Sequence, residues 1–207
     1  IRGLDVEHSL PEKARKLLSF TDNRQDAALQ SGHFNDFVQV SLLRSALYQA
    51  TALAGSNGLT YEELAQKVFN ALDLDKILYA ADPDVEFQAK YDTEKAFRDV
   101  LGYRLYHDLR RGWRVTSPNL EQCGLLEIEY PWLKDVCGAD HVWQDMHPAL
   151  VSANADLRYQ ISKTLLDYMR RELVIKVDYL NRDDQEKIKQ RSYQYLKPPW
   201  AMEENEE

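Results

Sequence analysis

Phe34-Asn35-Asp36-Phe37-Val38-Gln39-Val40-Ser41-Leu42-Leu43-Arg44-Ser45-Ala46-Leu47-Tyr48-Gln49-Ala50-Thr51-Ala52-Leu53-Ala54 contains neither proline nor glycine. Phe34, Val38, Leu42, Ala46, Ala50 and Ala54 recur at fourfold spacing, joined by Phe37, Leu43 and Leu47, and this spacing predicts a long amphipathic helix. Gly55-Ser56-Asn57-Gly58 ends it, and Gly32 predicts a division of the helix in two. Just upstream, the apolar run Lys16-Leu17-Leu18-Ser19-Phe20 reads as a short buried strand. Asp22 with Gln25 three residues later has capping-box spacing, so strand should turn directly into helix.

The same helical grammar continues outward. Thr60 and Glu63 form a second capping box before Leu64, Val68 and Leu72, on a short helix ending near Asp73. Phe97, Leu101, Leu105 and Leu109 make a third stripe, with Gly102 inside it at a cost of about 1 kcal/mol of helix propensity relative to alanine. Gly112-Trp113-Arg114-Val115-Thr116 reads as a strand closed by Ser117-Pro118-Asn119. Asn119 to Cys123 suggests a helical turn ended by Gly124, and Leu126-Glu127-Ile128-Glu129-Tyr130 alternates with the period of a strand. Leu157, Ile161, Leu165, Met169 and Leu173 predict another apolar helix face, followed by a more polar helix over about Arg182 to Leu196.

Composition agrees with a mainly α chain. Its 207 residues are 44% hydrophobic and 29% charged, and only eight glycines and seven prolines are available for the turns of an all-β fold. A chain of this size buries roughly 70% of its extended surface, enough for a real core. No apolar run reaches the ~20 residues of a membrane span, which excludes a transmembrane helix and any membrane partner of that kind. The net charge of −8 excludes bulk attraction to nucleic acid, so such contact has to be local. Two cysteines are too few for a disulfide scaffold, and a reducing, cytoplasmic setting is expected. The opening Ile1-Arg2-Gly3 and the acidic end after Pro198-Pro199-Trp200 read as a piece of a longer protein.

Lys16-Leu17-Leu18-Ser19-Phe20-Thr21-Asp22-Asn23-Arg24-Gln25-Asp26-Ala27-Ala28 is similar to motif IV of superfamily 2 helicases, and its continuation through Gly32-His33-Phe34-Asn35-Asp36-Phe37 resembles the large bacterial DEAD/DEAH-box type. In that family the first strand of the second RecA-like lobe runs into a helix through this turn. A strand-to-helix turn offers free N–H groups and the positive end of the helix dipole, which suit a phosphate. The resemblance implies that Thr21, Asn23, Arg24 and Gln25 contact a nucleic-acid backbone. It covers about twenty residues. A Walker A loop, a Walker B acidic pair and the paired arginines of motif VI are not present in this sequence, so ATP and magnesium are expected only in a full-length parent, with no cofactor and no catalytic residue in this chain.

A second segment concentrates positive charge. Arg104-Leu105-Tyr106-His107-Asp108-Leu109-Arg110-Arg111-Gly112-Trp113-Arg114 sets Arg110, Arg111 and Arg114 beside Trp113 and Tyr106, a combination that pairs phosphates and stacks bases on single strands. The same residues also suit a bland use, with Trp113 in the core and the arginines paired to nearby acids. The run from Arg114 to Leu126 resembles the helix-then-wing end of a winged-helix module. Cys123, Cys137, His141 and His147 follow one another, but their spacing lacks the tight clamp of a structural zinc site, so no metal is expected. His33 and His107 read as packed groups.

The expected architecture is therefore mainly α with a small β component. Residues 1–33 start a second RecA-like lobe, 34–200 form a mainly helical insertion domain with a winged-helix-like part at about 60–130, and 201–207 are an acidic tail. The expected function is a fragment of an ATP-dependent helicase or translocase acting on DNA or RNA, with Thr21, Asn23, Arg24, Gln25, Arg110, Arg111, Trp113 and Arg114 as the nucleic-acid-binding set. The alternative is a helical protein-interaction module with a winged-helix subdomain and a protein partner.

Overall fold

Over residues 100–109 a single helix is buried on every side, although its sequence there includes Arg104, His107 and Asp108. The computed structural model describes residues 24–111 and 118–202, with side chains over 36–110 and 118–202. The helices are α1 (Arg24–Ala54), α2 (Leu64–Leu72), α3 (Phe87–Arg111), α4 (Leu133–Gly138), α5 (Asp140–Trp143), α6 (Pro148–Val151), α7 (Ala155–Arg171) and α8 (Arg182–Tyr195), with single 3-10 turns at Gly55–Asn57, Lys76–Leu78 and Asp178–Leu180. Helix α1 crosses a boundary between two compact units, the first ending at Val38 and the second beginning at Gln39. The second contains everything described below.

Helix α3 is its axis, packed against α2 and α8. Phe97, Leu101, Leu105 and Leu109 are buried as their spacing predicts. Phe97 stacks on Tyr79 with ring centres 4.3 Å apart and meets Trp200 and Phe69 edge-on at 4.9 and 5.8 Å, the arrangements that aromatic quadrupoles favour. Tyr79 and Trp200 are brought there by the one β pairing among the described residues, an antiparallel bridge between Ala80 and Leu196. The Ala81 N–H donates to the Tyr195 carbonyl and the Lys197 N–H to the Tyr79 carbonyl, both at 2.9 Å. Trp200 and Met202 are both buried, so the packed body extends past residue 200.

Several expectations need correction. Gly32 does not divide α1, which is continuous from Arg24 to Ala54. Its buried side is Val40, Leu43, Ala46, Leu47 and Ala50, whereas Val38 and Leu42 are exposed. Fourfold spacing advances about 40° per step around a 3.6-residue helix, so five steps carry a stripe halfway round the cylinder. For α7 the predicted face points outward: Leu157, Ile161 and Leu165 are exposed. What turns inward is Arg158 and Arg170, whose polar contacts decide the helix's orientation. Leu126–Tyr130 is not a strand, and no described residue pairs with it, although Leu126, Ile128 and Tyr130 are half-buried while Glu127 and Glu129 are exposed. The expected strands at Lys16–Phe20 and Gly112–Thr116 lie outside the described residues.

Other local readings hold. Thr60 N–H donates to the Glu63 carboxylate at 3.1 Å, closing half of the capping box before α2, and Asp73 ends that helix in the left-handed region at φ 42°. Asn119 and Gln122 exchange hydrogen bonds between side chain and backbone N–H, each 2.9 Å, around a helical turn that ends at Gly124, φ +71°. The short helices α4 and α6 are held to α7 by the buried Arg158. Its Nε donates to the Leu150 carbonyl at 2.8 Å, Nη2 to the Val151 carbonyl at 2.8 Å, and Nη1 to the Cys137 carbonyl at 3.4 Å and the Asp140 carboxylate at 2.6 Å. One cation thus satisfies the open carbonyl ends of two helices too short to stand alone.

Gly102 is explained by a close approach. A Cβ there would lie 2.4 Å from Tyr179 Cζ, so the missing side chain is what lets the Tyr179 ring lie against α3. Gly102→Ala should therefore destabilise by about 1–3 kcal/mol through overpacking, despite a propensity gain of about 1 kcal/mol. In a Tyr179→Ala background the substitution should become neutral or stabilising, as read by urea titration. Phe97→Ala, which opens the aromatic cluster, should cost about 3–5 kcal/mol by the same measurement.

Candidate nucleic-acid interface

The positive segment is divided by burial. Arg104 lies inside: its Nη1 donates to Gln39 Oε1 at 3.0 Å and to the Pro199 carbonyl at 3.3 Å, with the guanidinium 5.9 Å from the centre of the Trp200 ring. Tyr106 is also inside, beside Tyr179, and burial pushes its hydroxyl up to about 12. It is no stacking platform for a base. His107 is buried, its ring 4.2 Å from Tyr103, as expected of a packed histidine. Within 104–110 only Arg110, in the last turn of α3, reaches the surface. Arg110 is exposed and makes no ion pair with another described residue.

Asp108, two residues earlier, is only 2% exposed and is gripped by Arg44 of α1. Arg44 Nε donates to both carboxylate oxygens at 3.2 and 3.0 Å, and Nη2 donates to Oδ1 at 2.7 Å. This two-pronged geometry is what makes a buried carboxylate tolerable. The same guanidinium donates from Nη1 to the Pro118 carbonyl at 3.2 Å, and Asn119 Nδ2 donates to the Asp108 backbone carbonyl at 2.9 Å. The connection that carries Trp113 and Arg114 is therefore pinned at both ends to one ion pair. Arg110 in the last turn of α3 also complements the negative end of its dipole, a structural use that needs no ligand.

Of the residues expected to bind nucleic acid, Arg24 and Gln25 lie in α1, while their side chains, all of Thr21, Asn23, Trp113 and Arg114, and the Arg111 side chain lie outside the described residues. Arg44 and Asn119, which sequence reasoning missed, anchor the connection. Arg44 had a signal: it is the sole Asp, Glu, Lys or Arg between residues 37 and 61. A lone charge within a long uncharged helix calls for a partner.

A second polar cluster joins the Asn119–Tyr130 segment to α7. Arg170, itself buried, donates from Nη2 to Glu121 Oε1 at 2.6 Å, with the Arg171 Nη2 at 3.5 Å from the same oxygen. Asp167 accepts from the Tyr130 hydroxyl at 3.0 Å and from Lys163 Nζ at 2.9 Å. Burial pulls the Asp167 carboxyl upward, but these two hydrogen bonds and the nearby Arg170 outweigh it and hold the group below the usual carboxylate range. Asp99 has the opposite balance: burial raises it, and Arg191 Nη1, 2.9 Å away, offsets this only in part. Among the described residues no group of three or more His, Cys, Asp and Glu side chains converges. The concavity lined by Glu186, Lys189, Gln190 and Tyr193 lies on one side of α8 alone and is open to solvent.

No family model, characterised protein or solved structure matches the chain.

The two carboxylates predict opposite pH effects. A depressed value, as at Asp167, gives stability that is present above the unfolded value of about 3.9 and is lost as pH falls through the folded value. A raised value, as at Asp99, weakens the fold as pH rises through that range. Asp167→Asn should accordingly lower the melting temperature at pH 7 and flatten its fall on acidification. Asp99→Asn should leave the pH 7 value unchanged or higher.

Proposed function

We propose that the chain is part of an ATP-dependent superfamily 2 helicase or translocase acting on DNA or RNA, in which it supplies backbone contact and a helical accessory body. The observation that carries this reading is the stretch Lys16–Ala28 with its Ser-Phe-Thr-Asp-Asn-Arg-Gln turn. Supporting it, a strand-to-helix turn of the kind this sequence resembles offers backbone N–H groups without an intrahelical acceptor, which suit a phosphate. The RecA-like start at 1–33 and the winged-helix-like part at about 60–130 belong to this proposal, as does a cytoplasmic setting. No described helix is long and apolar enough to cross a membrane.

ATP and magnesium belong to the parent on this reading, because the chain's sequence has no phosphate-cradling glycine loop and no Walker B acidic pair. The connection pinned by Arg44 and Asp108 presents the second contact, through Arg110, Arg111, Trp113 and Arg114. Net repulsion from a charge of −8 does not prevent this, since charges beyond about 8 Å are screened at physiological salt. The alternative reading, a helical protein-interaction module, is favoured by one specific feature, the outward apolar face of α7.

If Arg110, Arg111 and Arg114 reach three phosphates, single-strand affinity should be weak and fall with salt at a log–log slope of about −2. Replacing all three by glutamate should remove that binding, with the melting temperature nearly unchanged where the side chains are exposed, as that of Arg110 is. Binding unaltered in the triple variant would count against this contact and for the interaction module. The chain by itself should not turn over ATP with or without nucleic acid. Stimulated turnover by this chain would contradict the division of labour proposed here.

A further inference from the structure

The outward side of α7 is apolar and uncharged for three turns. Leu157, Ile161, Leu165 and Tyr168 are 46%, 43%, 56% and 62% exposed, and the residues between them on the same side are Gln160 and Thr164. Helical spacing lines these six side chains along about 17 Å of one face. The charged groups stand at the ends. Exposed Asp156 and half-exposed Arg171 occupy one flank, within about 60° of each other around the axis, while Glu172 caps the C-terminal end on the other.

We propose that this face pairs with α7 of a second copy of the chain, antiparallel, about a two-fold axis passing between Ile161 and Leu165. The proposal is independent of the helicase reading. Antiparallel pairing sets Leu157 against the partner's Tyr168 and Ile161 against the partner's Leu165, so every apolar side chain meets another. It also sets Asp156 beside the partner's Arg171, twice by symmetry, and Glu172 beside the positive N-terminal end of the partner's α7. A parallel pairing puts like flanks on opposite sides of the seam and the two ends of the helix about 22 Å apart, so Asp156 meets no Arg171 of the partner. Charge therefore selects the antiparallel form. The face offers on the order of 400–500 Å² per copy, so the dimer belongs to the weak, reversible class.

Sedimentation velocity of the whole chain from about 1 to 200 μM reads this directly, since a weak interface dissociates within that range. A monomer–dimer equilibrium is expected. Ile161→Glu with Leu165→Glu should weaken it at least about tenfold, the folded state being checked by circular dichroism, since both positions are already exposed. Asp156→Arg alone should weaken it several-fold, and adding Arg171→Asp should restore it. Arg171 also faces Glu121 at 3.5 Å, so the restoring variant is compared with the Asp156→Arg protein at matched melting temperature. A chain monomeric throughout the range, a dimer indifferent to Ile161→Glu/Leu165→Glu, or a lack of restoration by the double reversal overturns the proposal. The first of these outcomes leaves the face to a different protein.

Discussion

A helix buried on all sides cannot leave its charges unanswered, and the second unit is organised around meeting that condition for α3. Asp108 and Arg104 stand four residues apart on the same stretch, both almost fully buried. Leaving either without partners costs more than most single apolar contacts contribute. The partners come from far along the chain: Arg44 and Gln39 from α1, and the Pro199 carbonyl from the C-terminal segment. These polar contacts fix which side of α1 and which part of the C-terminal segment lie against α3. The aromatic cluster of Phe97, Tyr79, Phe69 and Trp200 then fills the space so defined.

The same ion pair also reaches the residues on either side of the 112–117 connection. Arg44 bridges the Asp108 carboxylate and the Pro118 carbonyl, so the two ends of the connection bearing Trp113 and Arg114 are held by the group that stabilises the core. Arg110 lies two residues beyond Asp108, yet it is exposed. Arg158 and Arg170 do for α7, which also packs against α3, what Arg44 does for α3. They turn its charged side inward and leave its leucines facing out.

That inversion marks where the sequence was legible and where it was not. The stripe Phe97, Leu101, Leu105 and Leu109 was readable because packing alone orders it, and the capping pair at Thr60 and Glu63 because its chemistry is local. Leu157, Ile161 and Leu165 look the same in sequence but are exposed, because Arg158 finds three carbonyls and a carboxylate contributed by the short helices and turns before it. Periodicity registers hydrophobic spacing and is blind to such distant partners. The cluster from Arg104 to Arg114 misled for the same reason. Read as one basic surface, it contains an interior arginine and an interior tyrosine, and the clue lay far back along the chain in Arg44, isolated among uncharged residues. Gly102, treated as a mild helix weakness, is the seat of the Tyr179 ring.

If the polar and aromatic partners of α3 do hold the second unit together, α3 and the C-terminal segment should unfold as one. Native-state hydrogen exchange across a denaturant series measures this at single amides. The amides of residues 100–105, that of Lys197, bonded to Tyr79, and that of Met202, bonded to Ser192 Oγ, should converge on one opening free energy with one denaturant slope, equal to global unfolding. Exchange of Lys197 and Met202 at a distinctly lower free energy, with α3 still fully protected, would contradict the account.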